Sequence, residues 1–562
     1  LNGAISDVQF NLGFYYRFRG IELENTMQNE LFATVQQDDF ISIPEAGHWA
    51  TVLLGKHVTN SNITYLIQYG RINKFFHNGA PAVSKTELLH YYQSRSGKRQ
   101  TDWEERLGEK LNWTLSFEQY KEAETTKHVH RLHPYKGKFI PQLVEYFLDE
   151  HTDSFKQNVF FHKGDVVLDP FCGSGTTLVQ ANELGIHAIG VDISEFNTVI
   201  ANAKIQNCDL QMLENELSFI TNRLRDFTAA SSILEFEDAL SAELLTFNNK
   251  YFPSPQFKID VRQKNIDERT YGAEKEKEFF PLYEKLVHTF NIQLKQKETD
   301  TFLDKWYVQN IRNEIDLVFQ LIEKIPNETE RNIAKIILSR TMRSCRATTH
   351  SDLATIYEPI TAPYYCTKHG KICKPLFSIL RWWNTYANDT VKRLAEFKML
   401  RTQTFQYCLT GDSRTINLYE KMKQSNSNLY KLIRKHKIAG IFSSPPYVGL
   451  IDYHEQHAYA YDIFGFTRHD DLEIGPLFKG KGKEARESYV EGISAVLNNA
   501  KPYLATDYNV FLVANDKFNM YPLIAEKAGM RIVNQYHRPV LNRTEKDKGA
   551  YSETIFHMKE RR

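Results

Sequence analysis

The chain lacks any apolar run approaching the ~20 residues that cross a bilayer, so no segment of it is expected to span a membrane as a helix. No secretory leader is evident either. Cysteine is scarce: six in 562 residues, in no paired spacing. That excludes a disulfide framework and points to the reducing cytoplasm. A charge excess is missing as well. Lys plus Arg number 70 and Asp plus Glu 69, a net charge of +1. Any nucleic-acid partner must therefore be met by local basic surface, not by a global field. The remaining composition, 42% hydrophobic and 25% charged, is that of a globular protein. A chain of 562 residues exceeds one compact core and predicts two or three domains.

Two short segments, far apart, carry the chemistry. Val166-Val167-Leu168 ends at Asp169 as a buried parallel strand does. Pro170-Phe171-Cys172-Gly173-Ser174-Gly175-Thr176-Thr177 then leads into a helix over 178–185, with Leu178, Val179 and Ala181 on its apolar side. Gly173 and Gly175 permit close backbone approach to a ligand, and the helix amides beyond them favour a carboxylate. A second apolar run, Ala188 to Val191, ends at Asp192. An acid about 20 residues after a glycine turn can hold ribose hydroxyls. An isolated glycine pair is only a turn; strand, helix and acid together make a cofactor site.

The second segment is Ser443-Ser444-Pro445-Pro446-Tyr447, after the apolar run Ile438–Phe442 and before a helical stretch around Asp452–Phe464. That setting is unlike a proline-rich ligand, which sits in a proline-rich segment. This segment resembles the acceptor slot of the DNA amino-methyltransferases, whose implied substrate, an exocyclic ring amine, is a poor nucleophile because its lone pair is conjugated. A side-chain oxygen from Ser444 and the Pro445 carbonyl can draw it toward tetrahedral geometry. Two prolines fix the carbonyl's direction, and Tyr447 offers a face for a flipped base. Direct transfer then needs alignment and no metal.

Together these segments resemble the DNA amino-methyltransferases. The resemblance implies a Rossmann-like α/β methyltransferase domain and S-adenosylmethionine. It places Asp169, Phe171, Gly173, Ser174, Gly175, Thr176 and Thr177 around the cofactor's amino-acid end, and Asp192 at its ribose. Thr410-Gly411-Asp412-Ser413 resembles the family's adenine-side turn, so Asp412 and Ser413 join the set. Glu237-Asp238 is a weaker rival, because no catalytic strand follows it. His133-Pro134-Tyr135 with Lys138 and Phe139 resembles the family's additional methionine-side segment; a basic loop entering a helix is the other reading. Ser444, Pro445, Pro446 and Tyr447 are the implied catalytic residues. The Ser-Pro-Pro-Tyr form points to cytosine N4, with adenine N6 second. No Pro-Cys dipeptide is present, so the nucleophile of carbon-5 methylation is missing. The implied partners are double-stranded DNA with a flipped target base and a cognate restriction endonuclease, without a membrane. RNA amine methylation and a non-catalytic DNA-binding regulator remain alternatives.

The implied order is an accessory region of unknown role (1–115), the cofactor half (116–204), a mostly helical insert for target recognition (205–404) and the catalytic half (405–562). Gly47–Leu54 and Asn62–Gln68 read as strands, and Lys85–Tyr92 as a helix. The insert shows helical spacing over 211–226, 276–295, 306–325, 328–344 and 376–400, with breaks at Tyr251–Pro255 and Pro359–Lys374. Arg331, Arg340, Arg343, Arg346, Lys368, Lys371 and Lys374 are candidate DNA contacts, or simply a solvated face. Cys366, His369 and Cys373 have ligand-like spacing for structural zinc, with Cys345 as a fourth ligand and His350 in reserve; buried free cysteines are the other reading. After the slot, Asn509–Val513, Arg531–His537 and Thr554–His557 read as strands, 520–530 as a helix, and Asn542–Ser552 as a basic loop near DNA.

Overall fold

The computed structural model describes residues 39–54, 58–68, 71–77, 80–93, 105–107, 111–135, 137–294, 296, 301–349, 358–541 and 550–561. His350 and all but the last three residues of the expected Asn542–Ser552 loop lie outside them. The chain divides into two compact units. The larger comprises Glu104–Leu240, Tyr283–Ala362 and Lys374–Arg562; the smaller comprises Leu1–Trp103, Ser241–Leu282 and Pro363–Cys373. The division thus runs through the expected 205–404 insert.

The larger unit is built on seven strands: β1 (Val166–Asp169), β2 (His187–Asp192), β3 (Gln406–Thr410), β4 (Ile438–Ser443), β5 (Leu504–Ala514), β6 (Met530–Pro539) and β7 (Ser552–Glu560). Their order across the sheet is β6-β7-β5-β4-β1-β2-β3. β7 runs antiparallel to both neighbours, and the pairs from β5 to β3 are parallel. The expected α/β fold is therefore present as a doubly wound sheet. From β1 the chain steps outward to β2 and β3, then returns to β4 on β1's other side. In such sheets the ligand crevice opens at this reversal, outside the carboxyl ends of the strands. Apolar runs suit strands covered on both faces: β1 is wholly buried, and β4 is buried except at Ala439.

Three helices frame the reversal: α1 (Pro141–Leu148), α2 (Thr176–Glu183) and α3 (Glu195–Ile205). Pro141 occupies the first turn of α1, where its missing N–H is harmless. Ser194 caps α3 by accepting from the Asn197 N–H at 3.2 Å. Part of the insert packs beside them as α4 (Leu210–Ala229), α5 (Gln309–Ile322), α6 (Glu328–Ser344) and α7 (Leu380–Lys398), and α6 also packs on α3. The Glu314 carboxyl of α5 ties this bundle. It accepts from Thr228 Oγ1 at 3.1 Å, Ser378 Oγ at 3.0 Å and the Ile379 N–H at 2.6 Å. Burial raises its pKa to about 7.

In the smaller unit, the two segments expected as strands are helices, Ile43–Leu54 and Asn60–Gln68. Ala46, Gly47 and Ala50 of the first and Ile63, Leu66 and Ile67 of the second are buried at three-to-four spacing, and the second set packs with Val83 and Leu88. β-branched Thr51 and Val52 prefer strand, but tertiary burial of the helical stripe overrides that preference. Lys85–Gln93 is the expected helix. The 359–374 break holds a hairpin, Tyr364–Cys366 with Lys371–Cys373.

Gly440 lies mid-strand in β4, where a Cβ would stand 2.1 Å from the Asn509 carbonyl oxygen. Gly440→Ala is expected to destabilise the larger unit by about 1–3 kcal/mol, read from the midpoint of chemical unfolding; an unchanged midpoint would contradict this packing.

Candidate functional site

A pocket opens at the reversal between β1 and β4, the place where doubly wound sheets hold their ligands. Its wall includes Phe171, Gly173, Ser174 and Thr176 from the turn after β1, and Asp192 from the end of β2. Tyr135, Lys138 and Phe139 contribute from upstream of α1, and Asp412 and Ser413 from the end of β3. Ser444 and Pro446 complete it from β4. Asp169, Gly175, Thr177, Pro445 and Tyr447 do not form part of this lining. Segments separated by more than 200 residues thus converge because their strands are neighbours.

The turn after β1 is built from beneath. Gly173 and Gly175 adopt φ of +49° and +77°, which side chains resist. A Cβ on Gly173 would meet the Tyr135 ring at 3.1 Å, whereas one on Gly175 would meet the Ala201 Cβ of α3 at 2.9 Å. Gly175 is therefore required by helix packing as well as by backbone conformation. Lys204 of α3 is fully buried and donates to the Ser174 carbonyl at 2.5 Å. Burial holds its pKa well below the lysine range.

Asp192 joins three elements. It accepts from the Gly173 N–H at 2.7 Å, the Ser194 N–H at 2.9 Å and Asn197 Nδ2 at 3.0 Å. Burial raises its pKa, opposed by these hydrogen bonds. Asn197 Nδ2 also reaches the Tyr135 hydroxyl at 3.2 Å. Two buried atoms of the wall residues, Ser174 Oγ and Asn197 Oδ1, have no hydrogen-bond partner among the described residues. Buried polar atoms are normally paired, so these offer hydrogen bonds to a polar ligand. Lys138 is held by the His130 carbonyl at 2.8 Å, and burial lowers its pKa to about 8.

On the β4 side, the Ser443 hydroxyl donates to Asp169 Oδ1 at 2.5 Å. Burial raises the Asp169 pKa to about 6, against the pull of that bond. The Ser444 hydroxyl donates to the Val513 carbonyl of β5 at 3.3 Å. Its proton is thereby occupied, leaving its lone pairs to accept. Tyr447 is half-buried against the core, and its hydroxyl donates to Glu553 of β7 at 2.6 Å. Ser413 donates to the Pro170 carbonyl at 2.6 Å, closing β3's turn onto that of β1. Asp412 chelates Arg414, with contacts of 2.9 and 2.7 Å. The rival acid Glu237 pairs with Lys374 at 2.8 Å and is not in the wall. Cys172 lies in the wall, but contact with Cys408, then burial, drives its thiol well above the usual range. It is no thiolate nucleophile.

Sequence reasoning missed Asn197, Lys204, Tyr453 and Glu473. Asn197 lies in the first turn after Asp192, a readable signal. Tyr453 and Glu473 line the pocket from beyond the slot. Glu473 accepts from the His454 N–H at 2.9 Å and also pairs with its ring Nδ1. Nothing in their spacing announces this. Among the basic candidates, Arg340 is buried, paired with Asp389 at 2.6 Å and stacked over Tyr386; it holds α6 to α7. Arg331 donates to the Ile325 carbonyl at 2.8 Å. Cys366, His369 and Cys373 converge in the smaller unit, while Cys345 belongs to the larger unit and is not in that group.

Residues 56–203 match the N6/N4 methyltransferase family, described as DNA methylase. The match contains the glycine turn and stops short of Ser443–Tyr447. The chain is 46% identical over 525 residues to the Type II methyltransferase M.MjaII of Methanocaldococcus jannaschii, covering 92% of this chain and 96% of that one. The chain belongs to the DNA amino-methyltransferases. Shorter stretches of this methyltransferase resemble M.BsoBI of Geobacillus stearothermophilus, 40% over 72 residues (13% of each chain), and M.MvaI of Kocuria varians, 28% over 124 residues (22% of this chain, 26% of that one). The family implies S-adenosylmethionine, and the unpartnered Ser174 and Asn197 atoms and the glycine cradle fit it.

Gly173→Val is expected to lower S-adenosylmethionine affinity at least tenfold by calorimetry, with the fold intact by circular dichroism; unchanged affinity would remove the turn from the cofactor site. Asp169→Asn tests the buried acid. A carboxyl whose pKa rises on folding, here from 3.8 to about 6, contributes most stability below pH 4 and loses it as pH rises through 6. The variant should therefore gain on the native protein between pH 4 and 6, by up to about 3 kcal/mol above pH 6. Parallel pH–stability curves would refute the shift.

Proposed function

We propose that this methyltransferase moves a methyl group from S-adenosylmethionine to the exocyclic N4 amine of cytosine in double-stranded DNA, as the modification activity of a restriction system. The observation that carries this reading is Ser444. It stands in the wall of the same pocket as the glycine turn, its own proton engaged by the Val513 carbonyl. An oxygen so occupied accepts from an amine N–H, and the Pro445 carbonyl, aimed by two fixed φ angles, accepts from the other. The bound cofactor supplies an electrophilic methyl carbon on a sulfonium.

The protein's part is alignment. Glycine turn, Asp192 and the Tyr135 segment would hold the donor; Ser444 and Pro445 would hold the amine in line with it. The N–C bond would form as the methyl–sulfonium bond breaks and a neutral thioether leaves; the nitrogen is then cationic and acidic, so its proton passes to water without a strong base. The target amine is paired within the duplex, so the base must leave the stack to reach Ser444. Tyr447, steadied by Glu553, would present its ring to that base. The family assignment supports a DNA substrate, and the relatives named as Type II methyltransferases support a restriction partner. The serine in the slot's first position favours cytosine over adenine, whose enzymes mostly carry Asp or Asn there.

Nucleosides from unmodified plasmid DNA incubated with protein and S-adenosylmethionine should contain N4-methylcytosine by mass spectrometry. N6-methyladenine instead would overturn the choice of base while keeping the reaction. Tyr447→Ala should reduce turnover on that DNA by roughly 10–100-fold, the value of one base stack, with cofactor affinity near normal. Equal loss of both would make Tyr447 part of the cofactor pocket.

A further inference from the structure

One side-chain cluster has no part in methyl transfer. It lies on the smaller unit's hairpin, Tyr364–Cys366 with Lys371–Cys373. The ladder pairs Cys366 with Lys371 and Tyr364 with Cys373. Cys366 and Cys373 therefore leave the same face of the ribbon, one diagonal step apart. The His369 and Gly370 N–H groups both bond to the Cys366 carbonyl, at 3.1 and 2.7 Å. Gly370 closes the turn at φ +62°, a conformation that disfavours a side chain. This geometry brings His369 Nδ1 within 3.7 Å of Cys366 Sγ and 3.3 Å of Cys373 Sγ. The three donor atoms all lie within 4.8 Å of one another. Ordinary Zn–S and Zn–N bond lengths place tetrahedral ligand atoms about 3.5–3.8 Å apart, so little movement separates this arrangement from a coordinated ion.

The hairpin is held from outside. Strands of three residues are too short to persist alone. Asn248 bonds both the N–H and the carbonyl of Ile372, each at 2.9 Å. Tyr365 donates its N–H to Glu276 at 2.8 Å and its hydroxyl to Glu268 at 2.9 Å. Lys258 grips the Thr367 carbonyl at 2.7 Å. The donors are thus preorganised, which reduces the entropy lost when an ion binds.

We propose that Cys366, His369 and Cys373 bind one zinc ion that pins this hairpin, the three being its protein ligands among the described residues. Both thiols release their protons to water on binding, so two thiolates neutralise the ion and the imidazole binds neutral. Cys345 takes no part; it is buried at the end of α6, its N–H on the Thr341 and Met342 carbonyls. The inference is independent of the base that is methylated.

Full-length protein, stripped under reducing conditions and titrated with cobalt(II) alone, should take up one equivalent. Its thiolate-to-metal charge-transfer band should have the intensity of two thiolates. His369→Cys should raise that count to three. Cys373→Ala should halve the band and weaken zinc binding on the order of 100-fold, one ligand's share of a structural site's affinity. Cys345→Ala should change neither. Folded protein, checked by circular dichroism, that takes up no cobalt would overturn the proposal. So would a Cys345→Ala variant that loses as much of the band as Cys373→Ala.

Discussion

The Ser443 hydroxyl's bond to the Asp169 carboxyl, 2.5 Å long between residues 274 apart in sequence, is the junction on which the site depends. It fastens the carboxyl ends of β1 and β4 where the sheet order reverses. From Asp169 the chain turns into the glycine cradle; from Ser443 it turns into Ser444 and the two prolines. The glycine turn and the Ser444 side of the pocket are therefore joined by a buried contact. In a low-dielectric interior such a bond is stronger than in water, and leaving the carboxyl without it would be correspondingly expensive. The raised pKa of Asp169 reflects the same burial.

Around this junction, α3 does much of the positioning. Its first turn brings Asn197 to Asp192 and Tyr135, its middle brings Ala201 under Gly175, and its end brings Lys204 to the Ser174 carbonyl. A buried lysine is costly; here it meets a carbonyl from the turn that shapes the pocket. Since α6 packs on α3, these helices support the floor of the pocket. Their own tie is Glu314, a single carboxyl that collects donors from α4, α5 and the segment entering α7.

Much of this was legible in local spacing. The apolar runs ending in Asp169, Asp192 and Ser443 are strands, and the cradle, Asp412 and Ser444 do share one pocket. Gly175 shows where legibility stops. Its left-handed backbone was foreseeable, but the Ala201 contact that forbids a side chain comes from 26 positions away. Tyr447 is similar: its aromatic face could be read, its anchorage to Glu553 of β7 could not. Arg340 looked like a candidate for DNA and is instead committed to Asp389 and Tyr386. The two segments expected as strands in the smaller unit are helices, because the side chains they bury, Ala46 and Ala50 in one and Ile63, Leu66 and Ile67 in the other, recur at helical spacing.

By itself the sequence determined the elements and their chemistry: where strands end, which turn needs glycine, which segment offers an oxygen beside two prolines. These follow from backbone sterics and from hydrogen-bonding capacity within a few residues. Only the tertiary structure decided which ends meet, which lone pairs stay unoccupied and which charged groups are already paired. Those outcomes depend on sheet order and burial, which bring together groups hundreds of residues apart. Spacing along the chain carries no information about such distances.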